Sequence, residues 1–167
     1  AEHVGSALKA GGRVLIPAFA VGRAQEILHY LIELEKQGRI PRVPLILDSP
    51  MAAEATDVFL SFGDELVITA EQMKELRTRS HVVRTTDESR ALNDQRNPAV
   101  IVSASGMATG GRVLHHIAHM ARNPENLILF AGFQAPGTRG ADMISGERAI
   151  KIHGEVVDIR CRVDGLD

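Results

Sequence analysis

One cysteine in 167 residues, Cys161, rules out an internal disulfide and suits a reducing, cytoplasmic setting. No apolar run is long enough to span a bilayer, and there is no secretory or lipidation signal, so nothing points to a membrane. Neither sign of charge dominates. At a net charge of -2, any contact with nucleic acid must come from a local patch and not from a global field. The patterns G-x-G-x-x-G and G-x-x-x-x-G-K-[ST] are absent, which argues against a nucleotide-binding α/β domain of the usual kinds. There is no internal repeat and no low-complexity tract. What is present, 44% hydrophobic and 24% charged residues, is the make-up of an ordinary globular domain with one sizeable core.

The chain alternates short apolar runs with amphipathic ones. Residues 2–10 read as a helix and 13–16 as a buried strand. A long helix over 23–37 carries Ala24, Ile27, Leu28, Leu31 and Leu34 on one face. Residues 44–47 form a second strand, and Pro50 opens a helix running to about Phe62. Further helices are predicted over 71–79, 87–93 and 111–122. Further strands are predicted over 81–84, 99–102 and 126–131. Apolar strands separated by helices imply an α/β fold of three layers, a mainly parallel sheet covered by helices on both faces. From Ala149 the pattern changes. "AIKIHGEVVDIRCRV" reads as a C-terminal β-hairpin turning at His153-Gly154, with Cys161 as a strand residue and not a catalytic thiol.

Three of the strand-to-helix loops are built alike. "SASGMATGGR", residues 103–112, follows the apolar run 99–102. Gly106, Gly110 and Gly111 carry no Cβ, and the next helix begins with free N–H groups. Such a loop accepts an anionic oxygen such as phosphate, although the same geometry also serves a tight turn with no ligand. "IPAFAVGRAQE" and "FAGFQAPGTRG" repeat the plan after two other strands. Ligands of open α/β sheets sit outside the carboxyl ends of the strands. Three such loops converging there would bring Arg23, Arg112 and Arg139 to one cleft, with Ser103 and Ser105 beside them.

The segments "GGRVLIPAFAVGRAQEIL", "PLILDSPMA", "VIVSASGMATGGRVLHH" and "LILFAGFQAPGTRGA", in this order between Gly11 and Ala141, resemble the β-CASP branch of the metallo-β-lactamase superfamily. That branch holds RNA-processing nucleases, among them the mRNA 3′-end cleavage nuclease and ribonuclease J. The resemblance implies a β-CASP domain over residues 1–141, with residues 142–167 beginning the return into a metallo-β-lactamase domain of the same chain. It also implies two zinc ions in the intact parent, activating water against an RNA phosphodiester. The family's His-x-His-x-Asp-His motif does not occur here, and its last His ligand is expected just beyond the tail "VDGLD". The resemblance therefore implies a fragment with no metal site and no catalytic residue of its own. Its role would be that of a lid holding single-stranded RNA through Arg23, Ser103, Ser105, Gly106, Gly110, Gly111 and Arg139. The alternative is a non-catalytic nucleic-acid-binding or interaction module. The oligomeric state is not legible.

Other residues carry weaker signals. His115 and His119 stand four apart on a helix, as zinc-binding pairs do, but no acid lies between them and the resemblance does not use them. Asp48 ends a strand, where functional carboxylates gather. The simpler reading is that Asp48 or Ser49 caps the helix starting at Pro50. Arg23 can bind phosphate or pair with Glu26. Met107 reads as a loop anchor. Asp142 falls where some relatives of the branch have a His, and a carboxylate cannot do the work of a neutral imidazole, so catalysis is not assigned to it.

Overall fold

The computed structural model describes residues 1–61 and 69–166. Its elements run α1 (Glu2–Lys9), β1 (Val14–Pro17), α2 (Arg23–Lys36), β2 (Leu45–Asp48), α3 (Pro50–Ser61), α4 (Ala70–Arg79), β3 (Ser80–Val82), α5 (Thr86–Leu92), β4 (Val100–Ser103), α6 (Arg112–Met120), β5 (Leu127–Ala131), α7 (Arg139–Ile144), β6 (Ala149–Ile152), β7 (Glu155–Asp158) and β8 (Arg162–Leu166). The predicted helix end at Phe62 lies outside the described residues. Among them, no helix is long and apolar enough to cross a membrane.

Six strands form one sheet in the order β3-β2-β4-β1-β5-β8, every neighbouring pair parallel. The apolar runs become strands because both of their faces are covered. Leu15, Ile46, Ile101 and Ile128 join a cluster with Leu92 of α5, Val113, Ile117 and Met120 of α6, and Met143 of α7. Their neighbours along the strands point the other way. Val14, Ile16, Leu47, Val102 and Leu129 pack with Val4 and Leu8 of α1, Leu28 and Leu31 of α2, and Leu76 of α4. This is the three-layer arrangement expected, with side chains alternating between two cores.

Local chemistry sets the helix ends. Thr69 with Gln72, and Thr85 with Glu88, make reciprocal capping boxes at α4 and α5. Ser49 accepts from the Ala52 amide at 3.2 Å and caps α3. The buried face of α2 is Ala24, Gln25, Leu28, Leu31 and Ile32. Ile27 and Leu34, expected on that face, lie partly buried at its margin. Gln25 takes its place in the core by donating its amide to the carbonyls of Ala20 and Ala52 and to the Thr56 hydroxyl.

The carboxyl-terminal segment departs from the sequence expectation. The hairpin β6-β7 turns at His153-Gly154 as read, both with positive φ, and tucks Ile150, Ile152 and Val157 onto the α6 side. Its second arm ends at Asp158. The Arg160 and Cys161 amides both donate to the Ala121 carbonyl, which turns the chain away from the hairpin. Cys161 is therefore a buried residue of the turn, not of a strand. The chain then enters the large sheet as β8, parallel to β5. There it meets α1: Asp164 Oδ2 lies 2.8 Å from His3 Nδ1, and Arg162 donates to the His3 carbonyl at 2.8 Å.

Candidate functional site

The three glycine-bearing loops emerge from consecutive strands, β4, β1 and β5, at their carboxyl ends. β1 leads into α2 on one face of the sheet, and β4 leads into α6 on the other. The loops after these adjacent strands thus lead to opposite faces of the sheet. They also touch. A Cβ on Gly106 would stand 3.1 Å from the Phe19 nitrogen. Gln134 donates to the Gly106 and Gly132 carbonyls, both at 3.1 Å, and the Gly140 amide donates to the Met107 carbonyl. Gly22 and Gly111 cap α2 and α6 with positive φ and no side-chain acceptor; the Arg23 and Ala24 amides turn instead to the Val21 and Phe19 carbonyls, and the Val113 amide to the Ala104 carbonyl. Gly111 is held to glycine twice over. Its φ is 78°, and a Cβ would stand 2.9 Å from the Ala104 carbonyl oxygen.

The structure sorts the predicted residues into three groups. Ser105, Gly106, Gly110 and Gly111 lie together on the β4–α6 loop. The Ser105 hydroxyl accepts from the Thr109 amide at 3.1 Å and folds the loop on itself. Gly110 faces open space. Arg23, at the first position of α2, is exposed and pairs with Glu26 at 2.8 Å, the alternative weighed from sequence. It also reaches the third loop, its Nη2 standing 4.0 Å from where a Gly132 Cβ would lie. Arg139 lies at the start of α7. Its Nε donates to the Lys151 carbonyl at 2.7 Å, and its other contacts are the carbonyls of Ala108 and Thr109, so it ties the glycine loop to the hairpin. Beside it a polar groove of about 610 Å³ is lined by Thr109, Thr138, Arg139, Asp142, Glu147 and Lys151.

Two residues expected in the cleft are spent inside. Ser103 is 1% exposed, and its hydroxyl donates to the Asp48 carbonyl at 3.0 Å, so it offers no surface. Arg112 turns back into the protein. Its Nη1 lies 2.8 Å from Asp48 Oδ1, and it donates further to the carbonyls of Val83 and Arg84. Of the three arginines, Arg112 is turned inward, while Arg23 stands beside Gly132 and Arg139 beside the hairpin groove.

Asp48 is the centre of a buried network, not a helix cap. The carboxylate is fully buried and accepts from Arg112 at Oδ1, and from Ser89 at 2.5 Å and His116 at 2.6 Å at Oδ2. His116, also fully buried, places Nδ1 2.9 Å from Asn93 Oδ1. Burial alone would raise the Asp48 carboxyl. The hydrogen bonds from His116, Ser89 and Arg112 outweigh it and hold the group below its ordinary value. Arg112 and His116 are one turn apart on α6, so this one carboxylate anchors the helix that the glycine loop feeds. A sequence signal did exist: a carboxylate closing an all-apolar strand, and an Arg and a His four apart behind a glycine loop.

The remaining histidines do not assemble. His119 Nδ1 lies 2.8 Å from the carbonyl of His115, and His115 stacks on His153 with ring centroids 4.7 Å apart. Among the described residues, no group of three or more His, Cys, Asp or Glu is placed to hold a metal ion. The residues present do not fit the zinc pair that the resemblance implies for the intact parent.

Comparison with known proteins bears on the same region. The Beta-Casp domain model matches residues 24–143. The chain is 40% identical to Ribonuclease TTHA0252 of Thermus thermophilus over 99% of its own length and 39% of that protein. It is 35% identical to Transcription termination factor FttA of Pyrococcus horikoshii over 99% of its length and 27% of that protein. It is 34% identical to an RNase J-like protein of Methanocaldococcus jannaschii over 97% of its length and 38% of that protein. The chain thus spans well under half of each of these relatives. With the parallel sheet and its glycine loops at one edge, these matches place the chain in the β-CASP family.

Proposed function

We propose that this chain is the substrate-holding lid of a metal-dependent ribonuclease acting in RNA processing or decay. The metal ligands, for two zinc ions, would come from a metallo-β-lactamase domain of the same parent chain, entered through residues 142–167. Relatives named as a ribonuclease, a termination factor and an RNase J-like protein support this reading. The observation that carries it is the convergence of three glycine-bearing loops at the carboxyl edge of β4, β1 and β5. Two of them lead into helices without a side-chain cap. The exposed Arg23 guanidinium and the open backbone at Gly110 suit the oxygens of a phosphodiester backbone. Contacts of this kind position a strand without reading its sequence. In this reading the chain's residues bind and orient RNA, and none of them cleaves it.

The test is an end-labelled RNA assay. The full-length parent is expected to cleave and to lose cleavage with a zinc chelator. The 167-residue chain is expected to bind single-stranded RNA without cutting it. Arg23→Ala in the parent should weaken binding and raise KM. A parent that binds RNA without cutting leaves the chain as a binding module and overturns the nuclease assignment. Hydrolysis by the chain alone with added zinc overturns the lid assignment.

A further inference from the structure

We propose that Phe19 and Phe133 are a stacking platform for unpaired nucleobases, so that this edge holds single-stranded RNA by its bases as well as by its phosphates. The inference rests on the reading that RNA is the ligand, and adds which part of the RNA is gripped and by what.

Aromatic residues are scarce in this chain, five Phe and one Tyr with no Trp. Phe130 is spent in the core at 0% exposure, whereas Phe19 is 52% and Phe133 is 76% exposed. Neither exposed ring belongs to either apolar cluster. They stand on the loops after β1 and β5, which are adjacent strands, and Gly106 meets the first loop at Phe19 and the second at Gln134. The Phe19 ring rests against the bare α-carbon there, with Cδ2 3.3 Å from where a Cβ would lie. Gln134, next to Phe133, donates to the Gly106 and Gly132 carbonyls. The Phe19 carbonyl accepts from the Ala24 amide at the start of α2. The Phe19 ring is thus presented to solvent from pinned backbone, and the Phe133 ring from the residue next to the anchored Gln134, with little ordering left to do on binding.

The surroundings favour bases over a protein surface. The loops that carry the rings meet through polar groups, the Gln134 amide and the Gly106 and Gly132 carbonyls. The Arg23 guanidinium reaches the loop that carries Phe133, its Nη2 standing 4.0 Å from where a Gly132 Cβ would lie, within reach of phosphates attached to stacked bases. With a net charge of -2 the chain has no general attraction for RNA, and stacking supplies affinity that does not depend on charge. Every base has a π face, so the platform tolerates any sequence but requires the strand to be unpaired.

The absence of tryptophan gives a direct readout, because Phe19→Trp and Phe133→Trp each introduce the sole Trp of the chain. The probe is a short single-stranded RNA, titrated into the 167-residue chain. Quenching of each Trp is expected, with affinity kept. Phe19→Ala and Phe133→Ala should each weaken binding about 5- to 150-fold, the usual range for loss of one stacked base. Both residues are exposed, so unchanged circular-dichroism melts are expected to accompany the loss. An abasic oligomer with the same phosphates should bind the parent chain as weakly as RNA binds the double alanine variant. If the parent chain binds RNA, Arg23→Ala weakens it and the alanine variants bind as the parent does, the platform is refuted while the RNA reading stands. That is also the result expected if the rings cover another protein surface. If the parent chain does not bind RNA, the RNA reading itself fails for this chain and the platform falls with it.

Discussion

Replacing Asp48 with Asn leaves the shape of the side chain almost unchanged and removes its charge. The carboxylate is surrounded by donors, Arg112 on Oδ1 and both Ser89 and His116 on Oδ2. An amide placed there must aim its own NH₂ at one of these two sides, so at least one donor faces another donor whichever way it turns. The Arg112 side chain is 18% exposed and loses its counter-charge, keeping only two carbonyls. Breaking a buried ion pair from one side typically costs about 3–5 kcal/mol, and the partial exposure of Arg112 favours the lower end. At about 2–4 °C per kcal/mol for a domain of this size, Asp48→Asn should lower Tm by about 6–12 °C. The pH dependence adds a second signature. The folded carboxyl sits below its unfolded value of about 3.9, so the folded state binds fewer protons there. The stability this adds is complete above that value and is lost as pH falls through the folded one. Thermal melts of parent and variant at a series of pH values between about 6 and 3 test both points, with the gap in Tm closing toward acid. A gap under about 2 °C at about pH 6, or two parallel curves down to about pH 3, would refute the assignment of Asp48 as the anchor of α6.

Other substitutions separate loop shape from loop function. Gly111→Ala must place a Cβ 2.9 Å from the Ala104 carbonyl at a φ of 78° and should cost about 1–3 kcal/mol in a urea titration. Gly110→Ala meets nothing within 4 Å, so it should melt with the parent while weakening RNA binding if ligand backbone passes there. Arg23→Ala breaks only an exposed pair with Glu26; Tm should hold, while the slope of log binding constant against log salt should fall by about 1. The Cys161 thiol is pushed up to about 12 by burial, so iodoacetamide at pH 8 should label the chain only after unfolding.

β1, β2, β4 and β5 are legible because each is an apolar run buried along its length, and helix α2 because fourteen residues display several helical turns. The hairpin turn was legible from its glycine. β8 was not separated from the hairpin, because alternation announces a strand without saying which strand it will pair with. α7 has six residues, too few to show a period. At the site, the glycine loops were found from local pattern. The fate of Ser103, Arg112 and Asp48 was not, because it depends on partners brought together only by the sheet. Ser89, Arg112 and His116 lie 41, 64 and 68 positions along the chain from Asp48. Read locally, the acid before Pro50 looked like a cap, and Ser49 in fact takes that part.

The contact between α1 and β8 brings the first and last described segments of the chain side by side, His3 against Asp164 and Arg162. The same proximity means that a short peptide would join the two segments with little strain, so the chain could be reopened at an exposed loop elsewhere and keep its sheet order.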